Sequence, residues 1–276
     1  MSNQARYISS TGEVFELDGP VTYIGTADNI RADKHGYTLG YRTLSGITRE
    51  AREETVEAYF SDLEEADRFR RITDKDMYYG TPGTFEMKGW RQRAYISNKE
   101  PSEIARKHHK QTLTVILLDG VWGKWHKQSF NPRAEAEESK WLDLPTDAPF
   151  DLMATPGVDM VENTSLIPSP VKITIFGQAI NPFITIGDNR YEVDATVPSG
   201  ARIEIDGTVY PRTISLISAL GEKTDLFSSG VRGSGEGSGE YVFETLKPGY
   251  HSNVSWSGGW GFDLEWLELD GTPPWT

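Results

Sequence analysis

Two tryptophans near the C-terminus are the residues best suited to binding chemistry. Trp256 and Trp260 flank Ser257-Gly258-Gly259, and a glycine turn there brings the two indole rings close together. Exposed indoles stack on the apolar faces of sugars, while buried indoles contribute large apolar area to a core. The pattern therefore leaves two interpretations, carbohydrate contact by Trp256 and Trp260 or packing in the core, and it favours packing.

Residue types that support catalysis or metal binding are present without a recognisable constellation. The five histidines contain no HExxH spacing, and the sequence has neither a GxSxG elbow nor a DxDxDG calcium loop. The absence of cysteine excludes disulfides, thiolate metal sites and a cysteine nucleophile. Asp263 and Glu265 form one of many carboxylate pairs, whereas glycoside hydrolysis requires two carboxylates at a defined separation across a cleft. We therefore expect no catalytic residue, no cofactor and no metal site.

The charge balance limits the classes of partner. A formal net charge of −13 disfavours nucleic acid, because an acidic surface repels phosphate. One basic segment, Arg106-Lys107-His108-His109-Lys110, is typical of a solvated loop or strand edge. No apolar run approaches the roughly 20 residues that span a membrane, and the N-terminus lacks the pattern of a signal peptide. We expect neither nucleic-acid binding nor membrane insertion.

Residues 1–130 are predicted to form a β domain with one helix. The many tyrosines, tryptophans and glycines favour short strands joined by turns. Ser61-Asp62-Leu63-Glu64 has the spacing of a capping box with Ser61 at the cap, which predicts a helix over about residues 62–77. Residues 100–104 are predicted to be a turn or a short helical start. The apolar stripe of the helix recurs every third position, at Leu63, Ala66, Phe69 and Ile72.

The remainder of the chain divides into a linker and a second β domain. Residues 131–169 are acidic and rich in proline, which predicts an extended linker that ends near Pro168-Ser169-Pro170. In residues 170–276, predicted strands recur about every ten residues with turn signals between them, a pattern typical of a β-sandwich. Asp206-Gly207 is predicted to join two strands within residues 201–210, and residues 241–243 are predicted to form another strand.

An ordered series of short motifs resembles the distal tail proteins of siphoviruses. The first half contributes Asp76, Gly80-Thr81-Pro82-Gly83, Gly89-Trp90 and Tyr95-Ile96. The second half contributes Phe150-Asp151-Leu152, Val161-Glu162-Asn163, Ile175-Phe176-Gly177-Gln178-Ala179-Ile180-Asn181-Pro182, Tyr241-Val242-Phe243, Val254-Ser255-Trp256 and Phe262-Asp263-Leu264. The resemblance extends from about residue 45 to the end of the sequence. It rests on the order of the motifs and not on any single one of them.

This resemblance implies a fold and a role. It implies a split β-barrel-like N-terminal domain that assembles into a homohexameric ring, with a galectin-like β-sandwich at the rim. It further implies a virion structural protein of the baseplate or tail tip, made in the bacterial host cytoplasm. The ring would join the tail tube protein to tip proteins such as a tail-associated lysin or a receptor-binding protein. We expect the N-terminal sheet edges and the single helix at subunit contacts, because exposed edges otherwise invite pairing.

Two other classes of function stay open. A carbohydrate-binding module or receptor-binding adhesin, whose partner would be a host surface glycan, requires Trp256 and Trp260 exposed on one concave face. A glycoside hydrolase or peptidoglycan-cleaving enzyme requires a cleft with two facing carboxylates, which the sequence does not single out.

Overall fold

A computed structural model of the chain describes residues 4–25, 27–105, 108–132 and 159–274, and it is mainly β, as predicted. The chain divides into two compact units, one formed by Met1–Lys124 with Leu269–Thr276 and the other by Trp125–Glu268. Most of the predicted linker, residues 133–158, lies outside the described residues. The first twelve elements are β1 (Ala5–Ile8), β2 (Val14–Glu16), β3 (Thr22–Ile24), α1 (Asp28–Arg31), β4 (Gly36–Gly40), β5 (Thr43–Thr48), β6 (Arg52–Phe60), α2 (Leu63–Tyr79), β7 (Gly83–Met87), β8 (Trp90–Ala105), β9 (His108–Leu117) and β10 (Trp122–Phe130).

The remaining elements are twelve strands and one short turn of 3₁₀ helix at Phe227–Ser229. The strands are β11 (Val161–Asn163), β12 (Val171–Phe176), β13 (Ala179–Ile180), β14 (Phe183–Ile186), β15 (Asn189–Glu192), β16 (Thr196–Val197), β17 (Arg202–Asp206), β18 (Thr213–Ile217), β19 (Lys223–Asp225), β20 (Gly249–His251), β21 (Val254–Trp256) and β22 (Phe262–Asp270).

The long strand β8 organises the first unit because it pairs with different partners along its length. Its first residues pair with β7, and its later residues pair with β9. One branch continues from β7 through β1 to β2, and the other continues from β9 through β6 to β3. These branches enclose a core of aromatic and aliphatic side chains, an arrangement consistent with the split β-barrel-like domain that the resemblance implies.

Residues 100–104 belong to β8, so the predicted turn or helical start is wrong. Pairing with β9 overrides the local proline and serine signals there. The ladder shifts register between Ile96 and Asn98 and again between Pro101 and Glu103. A bulge is one of the few places where a strand tolerates proline, because a backbone donor is not required there.

Helix α2 spans Leu63–Tyr79, close to its predicted bounds. Asp62, rather than Ser61, is the N-cap: its carboxylate accepts a hydrogen bond from the Glu64 amide at 2.9 Å. The Ser61 hydroxyl instead donates to the Val21 carbonyl. Ala66, Phe69 and Ile72 are buried as predicted, but Leu63 in the first turn is exposed. The short helix α1 was not predicted, since four residues carry too little periodicity to be detected.

A buried carboxylate ties α2 to β1. Asp76 is fully buried and accepts hydrogen bonds from the Tyr7 hydroxyl at 2.8 Å and from the Ser10 hydroxyl at 2.5 Å. Burial, and then Asp76 itself, raises the pKa of Tyr7 well above its ordinary value, so the phenol remains a donor. Gly83 makes room for this ring, because a Cβ at that position would lie 2.3 Å from the Tyr7 hydroxyl.

The second unit is a β-sandwich, as predicted. One sheet has the strand order β19-β18-β17-β12-β22, with β10 beside β22, and the other is centred on β15-β14-β21. Alternate residues of both sheets point inward, and one continuous hydrophobic core joins them. The inward-facing residues include Ile173, Ile175, Ile203, Ile205, Leu264, Ile184, Ile186, Tyr191 and Val254.

Two predicted strands in this unit are wrong. β17 ends at Asp206, whose carboxylate accepts from both the amide and the hydroxyl of Thr208, so the chain continues as a loop and β18 begins only at Thr213. Residues 241–243 form a turn rather than a strand. The Tyr241 amide donates to the side chain of Asn189, while Val242 is buried, so this turn packs into the core without joining a ladder.

Candidate functional site

The tryptophans singled out by the sequence lie in the core of the second unit. Trp256 and Trp260 are both buried, and each indole N–H is satisfied internally. The Trp256 ring donates to the Trp260 carbonyl at 2.7 Å, and the Trp260 ring donates to the Ser257 hydroxyl at 2.8 Å. Trp256 also packs edge-on against Phe262, with ring centroids 5.2 Å apart. This geometry supports the packing interpretation, and a sugar contact at these rings would require them to become exposed.

Conservative substitution of Trp260 separates the two interpretations. We expect Trp260→Phe to lower the free energy of unfolding by about 1–2 kcal/mol, because it removes a buried N–H donor and part of the ring. Chemical denaturation followed by fluorescence measures the loss. Ser257→Ala is the matched control, since it removes only the hydrogen-bond partner. A sugar-binding role for the ring would instead give a variant of unchanged stability that loses glycan binding.

The carboxylate pair Asp263 and Glu265 faces a lysine. The Lys127 ammonium lies 2.7 Å from Asp263 and 3.6 Å from Glu265, and the Ser129 hydroxyl donates to Asp263. Burial raises the pKa of Asp263, but the hydrogen bonds from Lys127 and Ser129 outweigh it and place that pKa below its ordinary value. A general acid needs a raised pKa, so the pair has the electrostatics of a structural ion pair.

The predicted basic segment is only partly described, since Arg106 and Lys107 lie outside the described residues. His109 is buried in β9 and does not form a solvated edge, because its side chain points towards the core and packs near Phe60. Lys110 points outward and pairs with Glu57 at 2.7 Å. In the described part of the chain, no group of three or more histidine, aspartate or glutamate side chains is arranged to hold a metal ion.

The most exposed apolar feature of the first unit is the hairpin of β4 and β5, which we call the arm (residues 36–48). All eleven residues of its two strands are exposed. Leu39 and Leu44 are cross-strand neighbours with 73% and 49% of their surface exposed, and Tyr41 at the tip is 88% exposed. Tyr37 and Ile47 are also exposed. Isolated two-stranded hairpins are at best marginally stable in water, and contiguous exposed apolar residues are typical of interaction surfaces, so the arm is a candidate contact surface.

The base of the arm is anchored, so the arm projects from a fixed point. Arg49 binds Asp33 at 3.2 Å and His35 at 3.1 Å. The Arg52 guanidinium donates to the backbone carbonyls of Ala32 and Ile30. Burial lowers the pKa of Arg52 from its ordinary value, and Glu54 beside it acts in the opposite direction. Residues 34–49 contain three lysine or arginine side chains and no carboxylate, in a chain of net charge −13.

The prediction of short strands joined by turns in residues 1–130 did not identify the arm. Its signal is an alternation of large apolar residues around a two-residue turn, Tyr41-Arg42, without the Asn-Gly or Asp-Gly pair that marks most tight hairpins. Arg42 takes the positive φ of 57° that the turn requires. A second apolar patch lies at the end of α2, where Met77, Tyr78 and Tyr79 are exposed.

Comparison with known proteins identifies the fold. No protein-family profile and no characterised protein matches the sequence. The structure resembles that of SPP1 Dit, described as a paradigm of the hub adsorption apparatus in phages that infect Gram-positive bacteria, with a TM-score of 0.57 and 11% identity over 97% of this chain and 98% of that chain. It also resembles chains of the phage P2 baseplate in its activated conformation, with Ca (TM-score 0.57, 10% identity, 98% of both chains) and with Sr (0.58, 11%, 98% and 99%).

These similarities confirm, for the fold, the resemblance to phage distal tail proteins. The structural similarity includes both units, because it extends over nearly the whole chain. None of the described helices is long and apolar enough to cross a membrane.

Proposed function

We propose that this chain is a non-enzymatic structural protein of a phage tail tip. The observation that carries the proposal is the fold that 97–98% of the chain shares with a protein of a phage hub adsorption apparatus and with phage baseplate chains. The similarity extends over both the barrel-like unit and the sandwich. A fold alone does not dictate function, but a match of two successive domains along nearly the whole chain narrows the range of functions to be considered.

The first unit would form a homohexameric ring. The arm supports self-assembly, because it presents large apolar side chains and its only charged residue is a cation. The rest of an acidic chain offers complementary surface, and closed rings are a common way to satisfy a head-to-tail contact. The helix α2 and the sheet edges would lie at the same contacts, and the exposed Tyr78 and Tyr79 on α2 are suited to such an interface.

In the virion, the ring would connect the tail tube protein to a tail-associated lysin or a receptor-binding protein at the tip. The second unit would lie at the rim as a galectin-like β-sandwich, and residues 131–169 would act as its linker. The protein would be made in the bacterial host cytoplasm and would reach the tail by assembly.

The mass of the purified chain in solution tests this proposal. Six copies of a 30.9 kDa chain should give about 185 kDa by light scattering after size exclusion, and negative-stain images should show rings. Co-purification with the tail tube protein of the same phage tests the connection. A chain that stays monomeric at high concentration and is missing from purified virions would contradict the proposal.

A further inference from the structure

An open cleft on the second unit combines an aromatic ring with unpaired polar groups. Its volume is about 540 Å³, within the range typical of small-molecule sites. It lies at the β18–β19 edge of the sandwich, and all of its lining residues belong to that unit. Its polar and aromatic lining side chains are those of Arg212, Thr213, Ser215, Lys223, Asp225 and Phe227.

Strand register places the polar groups on one outer face. Ile214 points into the core, so Thr213 and Ser215 on either side of it point outward. Ser215 pairs with Asp225 across the ladder, and Ile217 pairs with Lys223, so both β19 side chains share that outer face. Four of the seven lining residues therefore lie on two paired strands, while Pro211, Arg212 and Phe227 come from the segments that flank them.

Fixed contacts hold the groups at the end of the cleft. The Arg212 guanidinium donates to the Tyr241 hydroxyl at 2.9 Å and lies 5.8 Å from the ring centroids of both Tyr241 and Phe243. Phe227 stacks on Phe243, with centroids 5.8 Å apart, and the Arg232 guanidinium lies 4.5 Å from the centroid of the Phe227 ring, yet 43% of the surface of Phe227 stays exposed. Its amide donates to one oxygen of Asp225 at 2.9 Å, which fixes the carboxylate.

Two charged groups of the cleft retain unused hydrogen-bonding capacity. Among the described residues, neither the Lys223 ammonium nor the second carboxylate oxygen of Asp225 has an ion-pair partner. The cleft thus offers a carboxylate acceptor, an ammonium with three donors, the Thr213 hydroxyl, the largely buried Ser215 hydroxyl and the exposed part of the Phe227 ring. Tyr210, which precedes the lining residue Pro211 in the sequence, is almost fully exposed.

We propose that this cleft binds a neutral saccharide unit. Vicinal hydroxyls of a sugar ring both donate and accept, so they match a carboxylate beside an ammonium and a guanidinium, while C–H groups of the sugar pack against the part of Phe227 that Phe243 and Arg232 leave exposed. A purely apolar ligand would leave Asp225 and Lys223 desolvated without partners. This site is separate from Trp256 and Trp260, which lie in the core, and it does not depend on ring assembly.

Saturation-transfer NMR on the full chain tests the site, with D-glucose, D-galactose and N-acetyl-D-glucosamine as probes at millimolar concentration. We expect transfer to at least one of the three sugars. Lys223→Gln and Asp225→Asn should each weaken its binding at least about tenfold, since each removes a charged hydrogen-bonding group. The Asp225→Asn side chain keeps an oxygen that can accept from the Phe227 amide, so this variant should fold normally.

Lys172→Gln is the matched control, because Lys172 lies on the outer face of the same sheet but outside the cleft. Its binding should equal that of the wild type. Transfer that survives both Lys223→Gln and Asp225→Asn would overturn the assignment, as would no transfer to any of the three sugars. Unchanged circular dichroism and melting temperature in each variant separate loss of binding from loss of fold.

Discussion

Substitution of Leu39 and Leu44 by aspartate should abolish self-assembly while leaving the monomer folded. These two side chains form an exposed cross-strand pair on the arm, so polar replacements remove little buried area from the monomer. In an interface, the same positions would place two carboxylates in a desolvated contact. Truncation of a central contact costs at least about 2 kcal/mol, or roughly 30-fold in the dissociation constant, and a buried unpaired charge costs more.

Sedimentation equilibrium of the double variant measures this effect directly. Leu220→Asp is the matched control, because Leu220 is 89% exposed but lies in a turn of the second unit. That control should assemble like the wild type. Rings that persist in the arm variant at the same concentration would show that the arm is not an assembly contact, whatever the function of the protein.

Replacement of Asp76 by alanine should destabilise the first unit by about 3–5 kcal/mol, because the buried Tyr7 hydroxyl and the exposed amide and hydroxyl of Ser10 would all lose their charged acceptor. The two units have separate hydrophobic cores, so urea denaturation followed by circular dichroism should show a shift of one transition only. The expected loss is large relative to the stability of an ordinary domain.

Asp67→Ala provides the comparison for Asp76→Ala. Asp67 lies nine positions earlier on the same helix, but its carboxylate is more than half exposed and pairs with the exposed Arg70 at 3.3 Å. Surface ion pairs contribute about 0–1 kcal/mol, so this variant should be nearly as stable as the wild type. Equal destabilisation by both substitutions would mean that the buried network does not hold α2 against β1.

The sequence was sufficient for features that depend on local periodicity. The stripe at Ala66, Phe69 and Ile72 identified α2, because burial of one face imposes the period of the element, and strands recurring between turn signals identified the sandwich. The predictions fail where contacts with residues distant in the sequence determine the secondary structure. Residues 100–104 become strand only through pairing with β9, and residues 241–243 are held in a turn by Asn189, more than fifty positions earlier.

The binding surfaces were harder to predict for the same reason. Trp256 and Trp260 carried the more obvious chemical signal, but a residue type cannot show whether a ring is buried. The cleft at Lys223 and Asp225 depends on a cross-strand register that brings ordinary residues together, and no sequence motif marks it. The arm was missed because its turn lacks glycine or asparagine at the positive-φ position.

The first register shift of β8 determines which side chains meet α2. The side chains of a strand alternate between the two faces of the sheet. At this shift, Ser97 has no paired residue on β9. Buried positions before it are even-numbered, at Gln92, Ala94 and Ile96, whereas after it Lys99 turns inward. There the Lys99 ammonium reaches Asp74 at 2.6 Å. The one unpaired residue, Ser97, thus reverses the alternation of faces along β8. Lys99 therefore points towards α2, whereas an uninterrupted ladder would have pointed it to the opposite face.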